Sequence, residues 1–198
     1  MSKHSLTYRA VGDQVPMKNR LLLAASQLFT QKGYHAASLS EIAEMCGLQK
    51  SSVFHHFASK QLIALEAIKV LHQYCEDQVF KIVTDIRLSP EQRVINFITA
   101  IQSFMIDRSD SGLVGFLAIE LIDVIPSFNI PIREYFTAWL SAMSAVLTPT
   151  HGKAQAQQLS QHAMIYLQGV HIMTRIGADN TYIHQSSQYL LNLWKASK

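Results

Sequence analysis

The chain has 198 residues, 48% of them apolar and only 16% charged, with a net charge of +3. That is ample material for a core, and charge this sparse implies that a partner chain covers some of the apolar surface. Two cysteines, Cys46 and Cys75, exclude a disulfide framework and paired-cysteine metal spacing, and no secretory signal or membrane-length apolar run is present, so the expectation is a reduced, cytoplasmic protein with no membrane partner.

Residues 1–16 lack periodicity and end in Pro16, the pattern of a flexible arm. Lys3, His4 and Arg9 in it suit either a solvated tail or, beside DNA, the minor groove. Leu21, Ala24, Ala25, Leu28 and Phe29 then mark a helix that stops at Gly33. A short segment from Ser40 to Cys46 stops at Gly47, and another from Lys50 to His56 begins almost at once. Helices this short do not persist alone, because nucleation is costly and few bonds are gained per turn. A helix, a tight glycine turn and a second helix bearing polar side chains make a helix-turn-helix, which fits one helix into the DNA major groove. Ile42, Ala43, Leu48, Val53 and Phe57 are its expected core. Charge agrees with the reading: residues 1–69 hold eight Lys/Arg against four Asp/Glu, whereas 70–198 hold nine against ten.

Ser59 is placed to cap the next helix, with Leu62 its first core residue. Leu65, Ile68, Leu71, Cys75, Val79, Ile82 and Ile86 recur every three or four residues and predict one long helix over 59–86. Ser89, Pro90 and Gln92 form a helix start, followed by the stripe Val94, Phe97, Ile98, Ile101, Phe104 and Met105. Leu113 to Ile125 is nearly apolar all round and ends at Pro126, which predicts a helix buried on most sides. Another helix runs from about Asn129 to Leu147 and stops at Thr148-Pro149. Two more span Lys153–Ile176 and Asp179–Lys195. The fold class is therefore all-α, about nine helices in two lobes: a flexible arm (1–16), a three-helix DNA-binding head (17–60) and a helical-bundle lobe for effector binding and dimerisation (61–198).

LLLAASQLFTQKGY, LSEIAEMCGL and KSSVFHHFASKQLI, continuous from Leu21 to Leu65, resemble the first helix, the second helix and turn, and the recognition helix of the TetR family of ligand-responsive transcriptional repressors. GLVGFLAIEL and IYLQGVHIMTRIGAD are similar to segments of one branch of that family. The resemblance implies a one-component regulator, a repressor, that binds a palindromic double-stranded DNA operator as a homodimer and is released by a small apolar or amphipathic effector. It implies no cofactor. By position-wise match, Ser38, Ser52, His56 and Lys60 correspond to phosphate-contacting positions, and Lys50, Ser51 and His55 to positions facing base edges or the adjacent backbone. Ser40, at the start of the second helix, is a further candidate.

Three residues depart from the family pattern. Phe54, within the DNA-facing set, stands where Tyr is usual and lacks its hydroxyl; Ala37 replaces a common Thr. Gln49 stands where Ser commonly caps the recognition helix, so Ser51 is the alternative cap. The His55–His56 pair does not suggest a metal site, because neighbours on a helix point about 100° apart.

In the second lobe, Phe104, Met105, Phe116, Tyr135, Phe136, Trp139, Met143 and Met164 suit either a packed core or an effector cavity. Glu120, a carboxylate in an apolar segment, pairs within the bundle, faces water or meets a ligand. His72, Gln102, Gln168 and His171 are the other polar candidates for the pocket. Leu159, Ala163, Tyr166, Leu167 and Val170, with Tyr189, Leu190, Leu193 and Trp194, form stripes expected at a four-helix dimer interface, beside the small Gly169. No Gly-rich phosphate loop, metal-ligand cluster or activated nucleophile supports an enzyme. The competing expectation is a helical ligand-binding or interaction protein with a weakened DNA-binding head.

Overall fold

The structure, a computed structural model, describes residues 15–177 and 179–195. Lys3, His4 and Arg9 of the expected arm lie outside the described residues. Within these there are nine α-helices and no strand: α1 (Met17–Lys32), α2 (Leu39–Met45), α3 (Lys50–Val53), α4 (Lys60–Gln78), α5 (Pro90–Asp107), α6 (Leu113–Leu121), α7 (Asn129–His151), α8 (Lys153–Gly177) and α9 (Thr181–Lys195). Two 3-10 turns, Phe80–Thr84 and Pro126–Phe128, complete the described helical elements.

Local chemistry sets the helix starts. Ser38 and Glu41 satisfy each other's backbone N–H groups in a capping box, and Ser89 and Gln92 do the same with Pro90 behind the cap. Ser59 Oγ accepts from Leu62 N at 3.1 Å, as its position predicted. Two ends need glycine: Gly33 has φ +86° and Gly47 φ +70°, and both return their N–H to the preceding turn.

Four expectations are corrected. The long helix expected over 59–86 ends at Gln78 and gives way to a 3-10 turn in which Phe80 is buried, while Ile86 is 93% exposed. Apolar spacing of three or four residues does not separate the two helix types. Leu62 is 46% exposed, and Ile63 beside it is the first core residue of α4. The helix expected over 113–125 ends at Leu121; it is buried on most sides as expected, with Leu113, Val114, Leu117 and Leu121 inward and Ile119 alone exposed, at 76%. α7 runs through Pro149 to His151. In a last turn, proline forfeits a single hydrogen bond, and the helix ends two residues later.

The described residues group into two compact units. The first holds residues 15–71 with Ser109–Ile132, and the expected head 17–60 lies inside it. There α1 packs on α2 and α6, and α2 on α3, over a core that includes Leu21, Phe29, Ile42, Val53, Leu117 and Phe128. Burial of these side chains is what makes four-residue α3 stable, since propensity alone does not hold so short a helix.

In the second unit, His72–Arg108 and residues 133–195, α9 packs on α5 and α8. The six stripe residues of α5 are all buried. The aromatic surplus is spent on packing. Trp139 meets Phe80 edge-on at 4.8 Å and lies 5.7 Å from Phe104, which stacks on Tyr74 at 6.0 Å. Leu159, Ala163, Leu167, Val170, Leu190 and Trp194, expected at a dimer face, are buried within the chain itself. Tyr166 and Leu193 are half-buried, and Tyr189 is exposed with its ring stacked on Tyr166 at 3.9 Å. The apolar face left open on α8 is offset from that stripe and consists of Ile165, Ile172, Met173 and Ile176.

Candidate nucleic-acid interface

The helix-turn-helix is α2, the turn over 46–49 and α3. Leu48 N donates to Ala43 O at 2.9 Å, closing the turn, and Gly47 supplies the positive φ. Ile42, Ala43, Val53 and Phe57 are buried as expected, with Leu48 half-buried. With Val53 pinned inward, helical geometry turns the other side chains of α3 out. Lys50, Ser51, Phe54, His55 and His56 are exposed, Ser52 is half-buried, and Phe54 keeps 50% of its surface open. Lys50 and Ser51 are thus open to solvent on α3, and Phe54, His55 and His56 in the turn that follows it. Among the described residues, no cluster of three or more His, Cys, Asp or Glu could hold a metal ion.

Gln49 is the N-cap of α3 and makes no side-chain cap bond. Ser51 does not replace it, because the helix starts at Lys50, and Ser52 N donates instead to the Gln49 carbonyl at 2.9 Å. At α2, Ser38 and Ser40 are exposed. Ser38 Oγ is engaged with Glu41, whose carboxylate also pairs with Lys32. Lys32 and Ser38 hold the Glu41 carboxyl down at about 2.

Lys60 is placed differently from a phosphate-facing lysine. Its Nζ turns inward, donating to Tyr34 O at 2.8 Å and Ala37 O at 2.9 Å, and lies 4.4 Å from the centre of the Tyr34 ring. Burial lowers its pKa, and the Glu120 charge opposes that shift. Glu120 accepts from Tyr34 N at 3.0 Å and His35 N at 3.2 Å. It holds the head's own backbone rather than lining a cavity. Its one legible signal was a carboxylate standing alone in an apolar segment.

The other pocket candidates scatter. A cavity of about 40 Å³ in the second unit is lined by residues of α5, α7, α8 and α9, among them Phe97, Ile101, Met143, Ala163, Leu190 and Trp194. Of the ten ligand-binding candidates, only Met143 reaches it. Phe104, Met105 and Trp139 are core; Phe116 and Gln102 are half-buried. His72 pairs with Glu76 at 3.5 Å, and Gln168 donates to the Met164 sulfur at 3.4 Å. His171 keeps partial exposure as a residue, yet its ring is enclosed closely enough that desolvation pushes its pKa down to about 4. No described helix is long and apolar enough to cross a membrane.

Residues 21–67 match the family model described as bacterial regulatory proteins, tetR family. The chain is similar to the HTH-type transcriptional activator FasR of Mycolicibacterium smegmatis, 34% identical over 85 residues, which cover 41% of this chain and 37% of that protein. It is also similar to IcaR of Staphylococcus aureus, a negative regulator of the icaADBC biofilm operon, 34% identical over 58 residues that span 29% of this chain and 31% of IcaR. The chain thus spans about a third of each of these relatives. A TetR transcriptional regulator from Legionella pneumophila has the same fold, with a TM-score of 0.78 and 20% identity over 94% of this chain and 100% of that one. The helix-turn-helix segment, residues 21–67, thus matches the tetR family model, and the chain shares the fold of that TetR regulator along almost its whole length.

Proposed function

We propose that this protein is a one-component transcriptional repressor that binds a palindromic operator as a homodimer and releases it on binding a small apolar effector. The observation that carries this reading is the exposure of α3 and the turn after it, where Lys50, Ser51, Phe54, His55 and His56 are open to solvent around a buried Val53. Lys50 suits guanine O6/N7, and the hydroxyls and histidines suit bases or phosphates.

Dimerisation is supported by the open apolar face of α8, Ile165, Ile172, Met173 and Ile176. Beside it, a Cβ placed on Gly169 would meet nothing within 4 Å, so a partner helix has room to approach. A second copy on this face supplies a second head, and half-sites about 34–36 Å apart follow. The wholly apolar lining of the 40 Å³ cavity favours an apolar effector. Pockets that take whole ligands are roughly 300–1,000 Å³, so binding requires the α5–α9 bundle to open.

Selecting duplexes from a random pool, followed by a mobility shift over a salt series, tests the reading. Inverted repeats should emerge, affinity should fall steeply with salt, and Lys50→Ala should change sequence preference. The uncapped Gln49 and the missing hydroxyl at Phe54 favour a second reading, a ligand-binding bundle with a weakened head. A folded dimer that retains no duplex at low salt would establish that second reading.

A further inference from the structure

We propose that Glu120 and Lys60 are positioning residues for DNA binding: from α6 and α4 they clamp the α1–α2 connection and so set where α2 begins. The proposal rests on the operator-binding reading above. The connection is Gly33 to Ala37, and Ser38, the N-cap of α2, follows it directly. At Gly33 the backbone turns through φ +86°, and the next two N–H groups, of Tyr34 and His35, converge on the two oxygens of Glu120 at 3.0 and 3.2 Å. Only glycine leaves room for this, because a Cβ at position 33 would overlap Glu120 Oε1. On the carbonyl side, Lys60 Nζ takes Tyr34 O and Ala37 O. Ala37 N closes on Gly33 O at 3.3 Å. Tyr34 is anchored further by ring contacts with Phe29 at 5.5 Å and Phe128 at 5.9 Å.

A carboxylate and an ammonium thus grip one stretch of backbone, each through charge-assisted hydrogen bonds. Neither charge is required to touch DNA. A shift of α6 along its axis would break both Glu120 bonds, and the exposed Ser38 and Ser40 would lose their fixed position. Glu120→Gln tests the grip, because an amide keeps one acceptor oxygen and turns donors toward an N–H.

The probes are an operator selected from a random duplex pool by the wild-type protein and one random-sequence duplex, read by fluorescence anisotropy. E120Q should lose operator affinity about tenfold while binding the random duplex within about twofold, because the phosphate attraction stays and the geometry goes. Amide exchange should quicken at Tyr34 and His35 while the global melting temperature barely moves. Gly33→Ala, which evicts the carboxylate and also strains the backbone at φ +86°, should lose at least as much, and adding E120Q to it should cost little more; two unrelated structural defects would add. Glu120→Asp, a methylene shorter with its charge kept, carries the same expectation where E120Q does not fold. Wild-type affinity ratios in these variants would overturn the inference while leaving the operator reading standing. A wild-type protein that retains no duplex would overturn both.

Discussion

Lys60 Nζ donates to the Tyr34 carbonyl at 2.8 Å and lies 4.4 Å from the centre of that residue's ring, so one ammonium holds both the backbone and the side chain of Tyr34. Family correspondence puts Lys60 among phosphate contacts, but here its acceptors are carbonyls of its own chain. Lys60→Ala should therefore act on stability first, by about 2 kcal/mol for the lost charged hydrogen bonds. The melting temperature should drop by several degrees. The salt slope of DNA binding should stay at its wild-type value; a slope flatter by about one unit would restore Lys60 to the phosphates.

Three groups with large shifts shape how stability depends on acid: His171 in an upper window, and Glu41 with Asp85, which hydrogen bonds from Arg87 hold at about 2, in a lower one. His171 is neutral in the fold with a pKa of about 4 against 6.5 when free, so the unfolded chain takes up a proton that the fold refuses. Its contribution is whole above 6.5 and is lost as pH falls toward 4. Glu41 is held at about 2 against 4.5, so its contribution is whole above 4.5 and disappears as pH falls to about 2. Melting temperatures measured from pH 7 to 2 should fall through both windows. His171→Leu should flatten the upper window, and Glu41→Gln should shrink the lower one to the part that Asp85 contributes; a variant that leaves its window unchanged contradicts that assignment.

What local chemistry decides was legible in the sequence. Ser59 and Ser89 announce helix starts because a hydroxyl two or three residues before free N–H groups acts within a single turn, and Gly33 and Gly47 announce ends in the same way. The face of α3 followed from spacing once Val53 and Phe57 were taken as core. Spacing failed where two environments look alike to it. Leu159, Ala163, Leu167 and Val170 are apolar whether they meet α9 or a second chain, and Val79 to Ile86 keeps its rhythm although the helix changes type. The contacts of Lys60 and Glu120 were hidden for another reason. Glu120 meets residues 85 and 86 positions away, and no local pattern encodes which carboxylate arrives at which N–H.

Phe54, half open to solvent in the turn proposed to face DNA, offers a gain of function. Phe54→Tyr adds one hydroxyl at a site that packing does not constrain, so stability should hold within about 0.5 kcal/mol. A phenol reaching a phosphate is worth about 1 kcal/mol. Operator affinity should rise about fivefold, and the random-duplex affinity should rise with it, because phosphate contacts carry no sequence information. An unchanged affinity for both duplexes would place residue 54 away from the DNA backbone.

Leu159 and Ile172 lie on different faces of α8, one in the chain's core and one in the open, and their variants should separate folding from assembly. Leu159→Ala enlarges the cavity that Leu159 lines, and large-to-small changes of this kind cost about 3 kcal/mol. The loss should be the same at every protein concentration, and benzene should recover part of it by filling the new space. Ile172→Asp leaves the core alone but puts a charge on the apolar face with Ile165, Met173 and Ile176. A charge desolvated at an interface without a partner is costly, so sedimentation should show monomers where the wild type is dimeric, with helix content preserved. Monomers should then bind the full operator far more weakly than dimers, since one head alone makes half the contacts. If Leu159→Ala dissociates the dimer while Ile172→Asp does not, the two faces exchange roles, and the stripe at 159–170 is the interface after all.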